Sequence, residues 1–404
     1  MCGYNLRSNA LVSNSSRCTV YSPLFVGKEP CTNPTMAPLS LYWDFYSSYL
    51  KCSLNLALAR LYTPQNPPRR DLTGQTAIVT GANSGIGLCI ALRLAQQGAT
   101  VYLACRNQAK GDEAVAYIKS QLGSSGKSTN VFCWTLDVSD MSSVRAFCSR
   151  WRTQGTPIDM LVHNAGIPDV TSSQRRYNEK GLDIIYVTNL LGSFLMTSLL
   201  EPLLTPASRT VFTSSVSSYL AKDTVLLPRP PRPDHSKSNF LVRTWHRARA
   251  ALGLRDSAAL VYGQTKAHQV LLASLLQNHF DASYPGNKRT VHAFSPGFTQ
   301  SPIFTKYDMT WRTLLYDPAF SFLYYTETVV ATETDEGAKT GAWLATCGGE
   351  EGIEGGKYWE KMESEVSVID YWRRRMGEER FKGVARGIWK VWEEDAGCEW
   401  DIKF

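Results

Sequence analysis

The chain has 404 residues, 43% of them hydrophobic and 20% charged, which fits a soluble globular core. Its formal net charge of +7 is spread thinly, whereas nucleic-acid binding needs a clustered basic face, so no nucleic-acid partner is expected. Ten cysteines lie scattered, with no CxxC pair and no Cys/His cluster of zinc spacing, which argues against a disulfide framework and against a metal site.

In chain order, residues 1–38 are rich in turn formers and carry Arg7, Arg17 and Lys28 before the first acid, Glu29. That faintly resembles a mitochondrial transit peptide; a disordered tail is the favoured expectation, and Met36 is an alternative start of translation. From Leu39 to Tyr62, Tyr42, Tyr46, Leu50, Leu54, Leu58 and Leu61 recur at helical spacing, which predicts an amphipathic helix. Such a helix could lie on a membrane surface, or pack against its own domain or a second subunit. Pro64, Pro67 and Pro68 then mark a stiff linker up to Arg70. No run of about 18 apolar residues is uninterrupted, so a simple membrane span is not expected.

Strands and helices alternate from Gln75 onward. The predicted strands are Ala77–Val79, Thr100–Ala104, Val131–Leu136, Ile158–His163, Thr210–Ser214 and Thr290–Ser295, with helical runs between them. Alternation of this kind specifies α/β class, a doubly wound parallel sheet with helices on both faces, and such sheets bind ligands beyond their strand carboxyl ends. Residues 220–256, with LLPRPPRPD and a basic stretch around Arg243–Arg247, break the pattern and read as an insertion. It would serve as a lid, as a membrane-facing patch or as a solvated loop. An aromatic region runs from Tyr307 to Tyr325. Residues 359–404 read as a helical extension, with Trp389 and Trp392 one turn apart and placed to dock on the core.

The strongest local signal is Thr80-Gly81-Ala82-Asn83-Ser84-Gly85-Ile86-Gly87, between a strand and a helix. Three glycines there let backbone touch a diphosphate, and the helix N-terminus offers free N–H groups. Tyr262 and Lys266 lie one helical turn apart on one face. An ordinary Tyr titrates near about pH 10; an ammonium beside it should lower that value and make the phenol a usable acid and base.

Taken with DV at Asp137-Val138, NAG at Asn164-Ala165-Gly166, Asn189, Ser214-Ser215, YGQTK at Tyr262–Lys266 and SPGFT at Ser295–Thr299, this set resembles the short-chain dehydrogenase/reductase family. The resemblance runs from about Asp71 to Tyr358, and its retinol dehydrogenase-like branch is the nearest in pattern. It implies a Rossmann-type NADP-binding domain over 71–358 and catalysis by Asn189, Ser215, Tyr262 and Lys266. Ser215 would orient the substrate oxygen, with Ser214 the competing candidate. Asn189 would disturb a helix and help hold a water that links Lys266 to solvent. Cofactor contacts would come from Gly81, Asn83, Ser84, Gly85, Ile86 and Gly87 at the diphosphate, and from Asp137 and Val138 near the adenine. Asn164, Ala165 and Gly166 would line the adenosine ribose. Pro296, Gly297 and Thr299, with Tyr262 and Lys266, would meet the nicotinamide end.

Arg106, directly after the second strand, can hold a 2′-phosphate in a bidentate way, whereas NAD enzymes usually place an acid there. The expected cofactor is therefore NADP(H). The expected activity is interconversion of an alcohol and a carbonyl on a small lipophilic substrate. Two alternatives are a double-bond reductase of the protochlorophyllide reductase-like type and a non-catalytic NADP(H) sensor. The expected location is cytoplasmic, with membrane association at the endoplasmic reticulum or a lipid surface and mitochondrial import as further options, and a homo-oligomer is an open expectation.

Overall fold

Short runs of Val, Ile, Ala and Thr with almost no polar break make strands that can be buried on both faces. The computed structural model describes residues 39–61, 66–123, 130–168, 175–231, 258–300, 330–347 and 353–403. Six of these runs form parallel strands: β1 Thr76–Thr80, β2 Thr100–Cys105, β3 Val131–Thr135, β4 Ile158–His163, β5 Leu204–Thr213 and β6 Thr290–Ser295. A seventh, β7 Tyr358–Glu360, adds parallel to β6, and β8 Glu363–Glu365 returns antiparallel. The order is β3-β2-β1-β4-β5-β6-β7-β8. The direction of winding reverses between β1 and β4, and a crevice opens there beyond the strand ends.

The helices are α1 Leu39–Ala57, α2 Gly85–Gln96, α3 Gln108–Leu122, α4 Met141–Gln154, α5 Gly192–Leu200, α6 Ala258–Ser283, α7 Thr334–Thr346, α8 Val368–Met376 and α9 Glu378–Ala396. One face of the sheet shares a core with α2, α3 and α7 through Val79, Leu103, Ile90, Leu94, Ile118 and Leu344. On the other face, Tyr102 meets Trp151 of α4 edge to face at 4.6 Å, and His163 hydrogen-bonds Thr197 of α5 at 2.8 Å. The apolar stretch Ile184–Leu203 is long enough to cross a membrane by length and composition, yet 83% of it is buried inside the fold.

The predicted helix at 39–62 forms over Leu39–Ala57, but it packs through a different face from the one its hydropathy suggests. Leu41, Phe45, Ser48, Cys52 and Asn55 are buried, with Phe45 against Tyr219 and Tyr371. The predicted stripe from Tyr46 through Leu50 and Leu54 to Leu61 points outward. The helix has apolar residues on both sides, and contacts with α8 and the 3-10 helix Val216–Ala221 decide which side is buried.

The sheet continues past residue 358 into the region read as an extension, since β7 and β8 form a hairpin there. Beyond it, α9 docks as a clamp. Trp389, Trp392 and Trp400 surround Phe194 at 4.8, 5.9 and 5.1 Å. Asp395 takes a bidentate pair from Arg229, 2.7 Å at each oxygen, and a hydrogen bond from Tyr186. This ties residues 222–231, the start of the predicted insertion, to the core. The rest of that insertion, the aromatic region Tyr307–Tyr325 and residues 1–38 lie outside the described residues. Trp392 is fully buried, so Trp392→Ala should cost about 3–5 kcal/mol of stability in equilibrium denaturant unfolding.

Candidate active site

The turn after β1 is shaped by what it must pass. Gly81 has φ +65, and a Cβ there would sit 2.9 Å from Cα of Ala165. A Cβ on Gly87 would fall 2.4 Å from Nδ2 of Asn164. Asn164 holds the turn from the β4 side. Its Nδ2 donates to the Thr80 carbonyl at 3.1 Å and the Gly81 carbonyl at 3.4 Å, and its backbone N–H donates to the Thr80 hydroxyl at 3.0 Å. Ser84 stands at the α2 N-cap without a side-chain capping bond. Gly85, with φ +62, and Ile86 open the helix behind it, and Asn83 completes the loop. This is a cradle floored by backbone and free of bulky side chains, which suits a diphosphate.

Arg106 is exposed immediately beyond β2, whose Ala104 carbonyl accepts from the Gly81 N–H at 2.9 Å. The backbone at Arg106 thus lies close to the glycine turn. Asp137 follows β3. Its Oδ1 accepts from the Ser139 N–H and hydroxyl, which turns the chain at Val138. Sequence reasoning assigned Asn164, Ala165 and Gly166 to a ribose wall. The structure adds that they brace the glycine turn and connect it to the reacting side chains. A Cβ on Gly166 would lie 3.2 Å from Oδ1 of Asn189 and 3.3 Å from Nζ of Lys266. Three consecutive residues thus touch the cradle at one end and the lysine at the other.

Asn189 lies in a π-helical turn, Val187–Leu191, a distortion of the kind often found at functional sites. Its side chain clips the Ile167 backbone, accepting from N–H at 2.8 Å and donating to C=O at 2.9 Å. Ser214 is buried and donates to the Lys266 carbonyl at 2.8 Å, so it fastens β5 to α6. Ser215 caps the 3-10 helix Val216–Ala221 and hydrogen-bonds the Tyr262 phenol. Gly297, with φ +73, and Pro296 continue from β6. Thr299 is buried, and its methyl lies where a Cβ on Gly337 would be.

Burial governs the titration of the central pair. It pushes the Tyr262 phenol up to about 12, the Ser215 hydrogen bond pulling the other way, and pushes the Lys266 amine down to about 7. The expected acidification of Tyr262 belongs to the site with the positive nicotinamide ring beside Lys266; within the protein alone, burial sets the direction. Nζ stands 5.4 Å from the phenol ring centroid, and the loss of water outweighs any attraction. Tyr262 is here a neutral phenol, a donor of protons.

Sequence reasoning missed Gln269. It is fully buried one turn after Lys266. Its Oε1 accepts from Nζ of Lys266 at 3.1 Å, and its Nε2 donates to the Asn189 carbonyl at 2.7 Å. The amide side chain thus joins Lys266 to the backbone of Asn189. A polar residue at i+3 from the lysine, inside an otherwise apolar helix face, was the available signal. Gln269→Leu removes an acceptor that favours the ammonium, so the limb of kcat/KM assigned to Lys266 should move to lower pH; Gln269→Glu should move it higher. Equal profiles in both variants would reduce Gln269 to packing.

Known proteins resemble this chain in sequence and fold. The profile described as short chain dehydrogenase matches residues 75–224. Dehydrogenase/reductase SDR family member 13 of Homo sapiens is 33% identical over 251 residues, 61% of this chain and 58% of its own length. The chain thus spans less than two thirds of that relative. Retinol dehydrogenase 11 of Mus musculus is 30% identical over 324 residues, covering 79% of this chain and 85% of that one. A crystal structure of an uncharacterized protein from Mycobacterium paratuberculosis shares the fold, with a TM-score of 0.52 at 24% identity over 84% of this chain and 100% of that one.

Proposed function

Because the chain belongs to the short chain dehydrogenase family, we propose that it is an NADP(H)-dependent oxidoreductase that interconverts an alcohol and a carbonyl on a small lipophilic substrate. The observation that carries this reading is the wall Asn164-Ala165-Gly166, which packs against Gly81 at one end and against Asn189 and Lys266 at the other. A phosphate cradle and a proton-exchanging pair are thereby held a few residues apart.

In the reducing direction, Oη of Tyr262 donates its proton to the substrate oxygen. Ser215, hydrogen-bonded to the phenol, orients that oxygen and stabilises the charge that develops on it. Lys266, held by the Thr213 carbonyl at 2.7 Å and by Gln269, would in its ammonium form stabilise the phenolate left when Tyr262 gives up its proton. When bound, the nicotinamide supplies the hydride, or accepts it in the reverse direction. Gly81, Asn83, Ser84, Gly85, Ile86 and Gly87 would hold its diphosphate, with Pro296, Gly297 and Thr299 at the nicotinamide end.

Arg106 supports NADP(H) over NAD(H), because an exposed Arg directly after the second strand suits a 2′-phosphate and no acid stands at that strand end. The relative named retinol dehydrogenase 11 supports a lipophilic alcohol as the substrate class. A panel of lipophilic ketones and aldehydes, followed by cofactor absorbance, should show turnover with NADPH that Tyr262→Phe abolishes. Arg106→Asp should reverse the preference toward NADH, and an unchanged preference would refute the cofactor assignment. Cofactor binding without turnover of any carbonyl would favour a sensor over an enzyme.

A further inference from the structure

Two thiols meet beneath the glycine turn. Cys105 is the last residue of β2, and Cys133 lies at the middle of β3. The strands pair in parallel, with Leu103 opposite Cys133 and Cys105 opposite Thr135. The two cysteines are therefore diagonal neighbours on one face of the sheet. Gly111 of α3 covers that face. A Cβ at Gly111 would fall 2.1 Å from Sγ of Cys133 and 3.5 Å from Cβ of Cys105, so its missing side chain leaves the space that the Cys133 sulfur fills. The Cys105 thiol is hydrogen-bonded to Cys133 and accepts from the backbone N–H groups of Ala82 and Asn83. It thus ties the glycine turn to the thiol pair.

We propose that Cys105 and Cys133 are a reversible oxidation site, at which a peroxide converts the two thiols to a disulfide and detaches Cys105 from the glycine turn. In the first step the Cys133 thiolate attacks an oxygen of hydrogen peroxide. An S–O bond forms, the O–O bond breaks, Cys133 is oxidised to the sulfenic acid and hydroxide leaves. In the second, the Cys105 sulfur attacks that of Cys133. The S–S bond forms, the S–O bond breaks, and the Cys105 proton departs with the hydroxyl as water. Two equivalents of a small thiol restore the pair by exchange.

Cys133 is the attacking group because it is half-buried, whereas Cys105 is buried. The hydrogen bond from Cys105 also holds the Cys133 thiol below its ordinary value, against burial and the charge of Asp112. The remaining cysteines among the described residues, Cys52, Cys89, Cys148, Cys347 and Cys398, are all pushed up by burial. Closing the sulfurs to the ~2.05 Å of a disulfide draws the Cys105 side chain toward β3 and away from Ala82 and Asn83. Asn164 still holds the Thr80 and Gly81 carbonyls, so the turn loosens without coming apart. That a looser turn weakens NADP(H) binding rests on the cofactor reading above; the disulfide itself does not.

The test treats the full chain with hydrogen peroxide in the absence of cofactor, blocks the remaining thiols with iodoacetamide and maps linked peptides by mass spectrometry. Peptides joined through Cys105 and Cys133 should appear, and dithiothreitol should separate them. Hydrogen exchange at the amides of Ala82 and Asn83 should be on the order of 10-fold faster in the oxidised protein. NADPH should bind the oxidised protein about 10-fold more weakly than the reduced one, and Cys133→Ala should bind it alike with and without peroxide. Oxidised and reduced parent are compared directly, so the test stands if the variant does not fold. NADPH that fails to bind even the reduced protein refutes the cofactor reading alone, and the linked peptides and exchange rates still decide this one. Peroxide treatment that yields no Cys105–Cys133 link, or a link that leaves exchange at Ala82 and Asn83 unchanged, overturns the proposal.

Discussion

A lysine sealed from water and hydrogen-bonded to two neutral groups is the constraint on which the rest of the site depends. Lys266 is held by the Thr213 carbonyl and the Gln269 amide, and burial lowers its pKa from 10.5 to about 7. That shift corresponds to a penalty on the ammonium on the order of 5 kcal/mol. Two neutral hydrogen bonds return about 0.5–1.5 kcal/mol each. Desolvation therefore wins, and near neutrality the amine is poised between its two forms. The same loss of water keeps the Tyr262 phenol protonated. One physical cause acts on both groups in opposite directions and leaves a proton donor beside a tunable cation.

The burial is achieved by the sheet itself. β5 ends at Thr213, whose carbonyl takes the ammonium, and the next residue, Ser214, ties back to α6. β4 ends in the wall whose small residues allow the lysine and Asn189 to come close. A larger side chain at Gly166 would meet both. The π-helical turn at Val187–Leu191 presents the Asn189 carbonyl to Gln269. Strand ends at the point where the winding reverses thus supply the turn, the wall and the lysine's acceptor together.

Much of this was legible in the chain, for identifiable reasons. Glycines at Gly81 and Gly87 leave no other economical explanation, because only backbone contact needs them at that spacing. Strands buried on both faces announce themselves as apolar runs, and β4 and β6 were found at their observed bounds. The hairpin of β7 and β8 was not, since three-residue strands rich in Glu carry almost no pattern. The packed face of α1 escaped for a different reason. It buries Ser48, Cys52 and Asn55 through tertiary contacts, while the more apolar face stays outside. Gln269 was missed because an isolated polar residue on a helix looks like surface until its two partners are seen.

The measurement that bears most directly on this account is the titration of Lys266 itself, followed by the side-chain carbon shifts of isotopically labelled lysine in the apoprotein, with Lys266→Met to assign the signal. The account predicts a midpoint of about 7, below the one of about 8 at which burial places Lys361. A midpoint near the ordinary value of about 10.4 would mean that water reaches the amine, and would contradict the claim that burial sets the chemistry of this site.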